Sequence, residues 1–96
     1  MSLFVIAEFL AAPGRHDRLR TALEALIEPT LDEPGCLAYA AYVDPNDPAR
    51  MVVMERWENR RALDDHRATP HLRHARQVFD RVLARPPALR ILVEAP

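Results

Sequence analysis

Residues 2–10 are apolar at nearly every position, with Leu3, Val5, Ala7 and Phe9 at one parity and Phe4, Ile6 and Glu8 at the other. A two-residue period with both parities largely apolar predicts a strand covered on two sides. Pro13-Gly14 ends it. From about residue 15 to 31 the period lengthens, and Leu19, Leu23, Leu26, Ile27 and Leu31 form the stripe of an amphipathic helix. Pro29 falls inside that stripe, where its missing N–H and its ring should kink or end the helix. Glu33-Pro34-Gly35 reads as a turn into a second strand, Cys36–Val43. Simple alternation places Leu37, Tyr39, Ala41 and Val43 on one face and Cys36, Ala38, Ala40 and Tyr42 on the other. DPNDPAR, residues 44–50, is rich in turn formers and is expected as a polar hairpin loop. A third strand, Met51–Trp57, follows, with Met51, Val53, Glu55 and Trp57 sharing a face.

Asn59 suits the N-cap of a short helix over 60–68. Thr69-Pro70 then restarts the chain, Thr as N-cap and Pro at the first helical position. The second helical segment runs to about residue 83 on a stripe of Leu72, Ala75, Phe79, Val82 and Leu83. Arg85-Pro86-Pro87 stops it, and Ala88–Glu94 is a last strand. The order β-α-β-β-α-β, with one hairpin and two crossovers, predicts an α+β ferredoxin-like sandwich: a four-stranded antiparallel sheet with helices on one face. A single domain over residues 1–96 is expected, with the other sheet face bare in a monomer.

Composition narrows the function. At 96 residues the chain buries about 60–65% of its unfolded surface. With 49% apolar residues it has enough for a core and some left for a partner subunit. The net charge is −1 and charges of both signs are dispersed, which argues against the basic stripe of a nucleic-acid binder. All 13 basic residues are arginine, which reads as the codon bias of a GC-rich bacterial genome. The N-terminal stretch lacks a basic n-region and alternates like a strand, so no signal peptide is expected. No apolar run reaches the ~18 residues of a membrane span, and a cytoplasmic protein is the default. The single cysteine, Cys36, excludes an intrachain disulfide and a cysteine-based zinc site, and reads as a small buried residue. Two glycines leave no room for a dinucleotide fingerprint or a phosphate loop.

The candidate chemistry centres on HRATPH, residues 66–71. At about 100° per residue His66 projects within the arc of Ala62 and Leu63, toward the interior of its short helix. An imidazole titrates near neutrality and can exchange protons with a phenol. His71 lies at the flank of the next stripe, at a pocket rim or the surface, with His74 a turn further out. The Thr-Pro break keeps His66 and His71 off one regular helix face, and His71 and His74 have no evident third donor; no metal is expected. Trp57 is a core or interface anchor, or a pocket wall for a flat ring. Glu55 beside it is unusual on a covered strand and should pair with an arginine or orient a histidine. Tyr39, Tyr42 and Phe79 read as pocket walls or plain core.

EPGCLAY (33–39), MERWEN (54–59), AL (62–63) and HRATPH (66–71) occur in an order and spacing that resembles the antibiotic biosynthesis monooxygenase (ABM) domain family, nearest to its small quinol-monooxygenase-like members. The resemblance covers essentially the whole chain. It implies a dimeric α+β barrel in which two sheets pack face to face, which would cover the bare face. For chemistry it implies several branches. Some members oxidise phenols or hydroquinones with O2 and no cofactor, others degrade haem, and one branch isomerises a phosphorylated sugar. The haem branch uses an Asn, a Trp and a His where this chain has Glu8 or Phe9, His66 and Arg76, so haem degradation is not expected.

The resemblance and the residues together favour cofactor-independent oxygenation of a hydroquinone or polyphenol. His66 is expected as the catalytic base, and Trp57, Glu55, His71, Tyr39 and Phe79 as substrate-binding residues. The expected partners are a second copy of the chain, a small aromatic substrate and O2, with no nucleic acid and no membrane. Two alternatives remain. One is a cofactor-free isomerase of a carbonyl compound, for which Arg56, Arg60 and Arg73 are candidate phosphate ligands. The other is a non-catalytic dimeric binding protein for a small apolar ligand.

Overall fold

The computed structural model describes residues 1–96. Its elements are β1 (Leu3–Leu10), α1 (His16–Leu31), β2 (Cys36–Asp44), β3 (Asp47–Trp57), α2 (Arg60–Arg67), α3 (Pro70–Val82) and β4 (Ala88–Val93). The four strands form one sheet in the order β2-β3-β1-β4, every neighbouring pair antiparallel. The expected ferredoxin-like α+β architecture is therefore the architecture of the chain, with three helices on one face.

That covered face carries the core. Val5, Ala7 and Phe9 of β1 and Met51, Val53, Glu55 and Trp57 of β3 are all buried against the helices. Leu19, Leu23 and Leu26 descend from α1, and Ala75, Phe79 and Val82 from α3, onto the larger part of this layer. A smaller cluster of Val5, Trp57, Ala62 and Leu63 lies under α2. The alternation of β1 and β3 and the stripes of the helices therefore point as their periods predict.

Four details differ from the pattern. The polar loop after β2 shrinks to Pro45-Asn46, because Asp44 pairs with Asp47 and β3 starts four residues early. The Asp44 carboxylate accepts from the Asn46 N–H at 2.8 Å, closing the turn. A bulge between Cys36 and Ala38 inserts Leu37 into the edge strand. One extra residue reverses parity, so Cys36 joins Tyr39 on the covered face and Leu37 is exposed. In α1 the helix outlasts Pro29 by two residues, and Leu31, beyond it, is exposed rather than part of the stripe.

The opposite face is open. Phe4 and Ile6 of β1, Val52 and Met54 of β3, and Ala38, Ala40 and Tyr42 of β2 share it, joined across the register by Leu92 of β4. No helix covers β4 on the other side either, and all six of its residues are exposed.

Candidate active site

Three short-range devices bring the site together. Gly35 adopts φ +83°, and a Cβ there would lie 2.6 Å from the Ala62 Cβ. Only glycine lets the turn before β2 press this closely on α2. The Gly35 carbonyl accepts from the Glu58 N–H at 2.8 Å, tying that turn to the β3–α2 junction. Asn59 caps α2 by accepting from the Ala62 N–H at 2.9 Å. Thr69 does double duty across the break between helices: its hydroxyl donates to the His66 carbonyl at 2.7 Å and accepts from the Leu72 N–H at 3.4 Å.

The result is a cluster centred on Glu33, a residue that the sequence marks only as part of a turn. Its Oε2 accepts from His66 Nδ1 at 2.7 Å and from His71 Nε2 at 2.8 Å. A carboxylate is an acceptor only, so the two nitrogens facing it carry protons, and the neutral form of His66 has its lone pair on Nε2. His66 Nε2 faces Glu55 Oε1 at 4.0 Å, too far for a hydrogen bond. Trp57 Nε1 donates to the same Glu55 oxygen at 2.9 Å. The Trp57 ring lies 4.7 Å from the His66 ring, inclined by 35°. Glu33, Glu55 and Trp57 thus surround the His66 imidazole on three sides. Burial falls off across the cluster, with side-chain exposure of 4% at His66, 10% at Glu33 and 26% at His71.

Burial raises the Glu55 carboxyl above the ordinary carboxylate value, while the Trp57 hydrogen bond and the charges of His66 and Arg67 pull it back. Tyr39 is pushed strongly up by burial and then by the negative charge of Glu55, so its phenol holds its proton. Burial, reinforced by Glu33 and Glu55, also raises the Cys36 thiol, which leaves it a poor nucleophile.

A cavity of about 90 Å³ opens beside the cluster between sheet and helices. His66, Glu55, Tyr39 and Phe79 line it, with Leu63, Leu72, Leu89, Arg67 and Arg76. Two residues expected as substrate walls stand elsewhere. Trp57 is fully buried behind His66 and supports it, outside the lining of this cavity. His71 lies on the far side of Glu33, half-exposed in the groove between α1 and α3. Of the arginines considered for a phosphate, none lines the cavity: Arg56 bonds Ser2 on the open face, and Arg60 pairs with Asp64 on the surface. Arg73 is exposed on α3. Arg67 and Arg76 take that place, linked by a bond from Arg76 Nη1 to the Arg67 carbonyl at 3.1 Å. Neither belongs to an ion pair in the chain.

Fold and cluster define a small ferredoxin-like α+β protein with a carboxylate-held histidine beside an internal cavity. The chain belongs to the antibiotic biosynthesis monooxygenase family, whose model matches residues 2–78. It is 40% identical to Rv0793 of Mycobacterium tuberculosis across 92% of this chain and 86% of that protein. The structure of Rv0793 superposes with a TM-score of 0.93, covering 100% of this chain and 97% of that one at 35% identity. The chain is also 38% identical to the Escherichia coli K12 protein named "Probable quinol monooxygenase YgiN", across 74% of this chain and 78% of that protein. A crystal structure described as an antibiotic biosynthesis monooxygenase superposes with a TM-score of 0.91 at 33% identity, over 98% of this chain and 99% of that one. No helix of the chain is long and apolar enough to cross a membrane.

Proposed function

We propose that the protein is a cofactor-independent monooxygenase of a hydroquinone or polyphenol, with His66 as the base. The observation that carries this reading is His66 Nδ1 held on Glu33 at 2.7 Å, which makes Nε2 the basic nitrogen of the neutral ring beside the cavity. A positioned base of this kind typically contributes about 10²–10⁴-fold. His66 Nε2 takes the phenolic proton, and the imidazolium so formed lies between Glu33 and Glu55. The phenolate, a far better electron donor than the phenol, passes one electron to O2. The semiquinone and superoxide then combine at a ring carbon to give a peroxide. Loss of water leaves the hydroxylated quinone. One oxygen atom enters the product and the other leaves as water, and all four electrons come from the substrate: two from hydroxylation, two from hydroquinone to quinone.

The space matters. A dry cavity that takes one benzene is about 150 Å³, larger than the roughly 90 Å³ present here. The substrate ring therefore has to widen the cavity, and the uncovered side is β4, where Leu89, Ile91 and Val93 are 53%, 36% and 52% exposed. The same bare strand and the apolar face of Phe4, Ile6, Met54, Tyr42 and Leu92 support a homodimer, with the second subunit covering both. A second reading, enolisation of a phosphorylated carbonyl compound by His66, is favoured by Arg67 and Arg76 at the cavity.

The test is oxygen uptake with a panel of benzo- and naphthohydroquinones, with ¹⁸O₂ to follow the label into product. Uptake above the uncatalysed rate with one labelled oxygen per product supports the reading. Quinone formed without label reduces the protein to an oxidase. Absence of uptake across the panel, with proton exchange into a phosphorylated ketone instead, moves the assignment to the isomerase.

A further inference from the structure

We propose that Glu33, His66 and His71 form a site for a divalent transition-metal ion of the zinc class, and that the ion competes with substrate deprotonation for the same imidazole. The three residues come from the turn before β2, the end of α2 and the first turn of α3, and their donor atoms all lie within 4.8 Å of one another. It is the one group of three such donors in the chain. Two imidazoles and a carboxylate are a borderline set that suits zinc, cobalt or iron(II) and discriminates against calcium and magnesium. No metal is expected from the sequence because the Thr-Pro break keeps His66 and His71 off one helix face and His71 with His74 lacks a third donor; Glu33, from another element, reaches both His66 and His71 across that break.

The donors must shift to take an ion. A tetrahedral ion with ligands at about 2.0–2.1 Å sets neighbouring donors about 3.3–3.4 Å apart. The two N···O separations are 2.7 and 2.8 Å, so each must open by roughly 0.6 Å, while the two ring nitrogens, within 4.8 Å of each other, must settle at the same tetrahedral spacing. Exposure is graded as a three-ligand site with a water position requires, closed at His66 and open at His71. Outer support is close at hand, one short closure away. An ion on His66 Nδ1 moves the ring proton to Nε2, which faces Glu55 Oε1 at 4.0 Å. A carboxylate accepting from a metal-bound histidine fixes the ring and raises its basicity.

That proton shift is the source of the competition. The ion takes Nδ1, and the lone pair on Nε2 that abstracts the phenolic proton is lost. The metal-binding half stands on the geometry of the cluster alone; the competitive half rests on the oxygenase reading.

The experiment titrates metal-free protein with Co²⁺, followed by its d–d absorption, and with Zn²⁺ by calorimetry and thermal unfolding. One ion per chain, a tetrahedral or five-coordinate Co²⁺ spectrum and a rise in Tm with Zn²⁺ are expected. Glu33→Gln and His71→Ala should each weaken binding by at least about tenfold, and Glu55→Gln by a factor toward the lower end of the 10–100 usual for outer-sphere partners. His74→Ala, outside the cluster, should bind as the parent does. His71 is half-exposed, so its variant folds even if Glu33→Gln does not. No saturable binding of either ion at micromolar concentration overturns the site, as does binding that survives His71→Ala and disappears with His74→Ala. In the activity arm, Zn²⁺ should suppress oxygen uptake over the concentration range in which it binds, and a chelator should restore it. A chain that binds zinc with uptake unchanged refutes the competition. A chain that binds zinc but has no uptake when metal-free counts against the oxygenase reading while supporting the site.

Discussion

Removing the Glu33 carboxylate tests the centre of the site without reference to any substrate. In Glu33→Ala the His66 Nδ1–H loses its acceptor in a position with 4% side-chain exposure, where water cannot replace it. Hydrogen bonds to a charged group contribute about 1.5–3 kcal/mol each when buried. The His71 Nε2–H, at 26% exposure, recovers water and costs only about 0.5–1 kcal/mol. The expected loss is about 2–4 kcal/mol, read as a lower urea midpoint at unchanged m. Glu33→Gln is the informative companion. Its amide oxygen can stand where Oε2 stands and accept both N–H groups, and neutral bonds are roughly half as strong as charge-assisted ones. It should therefore keep about half of the lost stability. Ring ¹⁵N spectra give the mechanistic readout: His66 protonated at Nδ1 in the parent and in Glu33→Gln, a mixture of tautomers in Glu33→Ala. Turnover should follow the tautomer, lowest in Glu33→Ala and partly recovered by Gln. A parent protein with His66 protonated at Nε2, or a Glu33→Ala variant within 0.5 kcal/mol of the parent, refutes the argument.

His66→Ala should cut turnover by about 10²-fold or more while circular dichroism is unchanged, whereas His71→Ala, outside the cavity, should leave kcat and KM within about a few-fold of the parent. Glu55 has its carboxyl raised by burial, so its protonated form stabilises the fold at low pH and this contribution is lost as pH climbs from 4.5, the ordinary value, through the raised one. Glu55→Gln keeps the acceptor for Trp57 and should flatten that decline, which urea titrations at a series of pH values would detect. The hydroxyl of Thr30 is fully buried without a partner, so Thr30→Val should raise stability by about 1 kcal/mol, and an equal loss would mean the hydroxyl is satisfied in solution. Light scattering should give twice the 10.9 kDa subunit mass at micromolar concentration, and a monomer would refute the dimer.

What the chain determines by itself is whatever short-range periodicity and capping can carry. Leu19, Leu23 and Leu26 recur at the helical period and are buried for that reason. Ala62, Leu63 and His66 share an arc, which is why the inward direction of His66 is legible from three letters. Asn59 and Thr69 announce two helix starts through hydrogen bonds to residues three positions away, and Pro70 fits the first turn of the second. The tertiary structure decided the rest. DPNDPAR reads as a loop because its residues favour turns locally, but ladder pairing with β2 recruits Asp47–Arg50 into the strand. Cys36 changes face because the bulge at Leu37 is set by the register against β3, which no window of β2 contains. Trp57, a plausible ring-binding wall by type, is covered completely once α2 lies across it. Glu33 was hidden most thoroughly. It follows a helix end and precedes Pro-Gly, so local chemistry explains it as a turn, while its two histidine partners are 33 and 38 residues away. Only the close approach of Gly35 to Ala62 brings that carboxylate to the end of α2. Periodicity reports which way a side chain points relative to its own element; what it meets there is settled by contacts between elements distant in the chain.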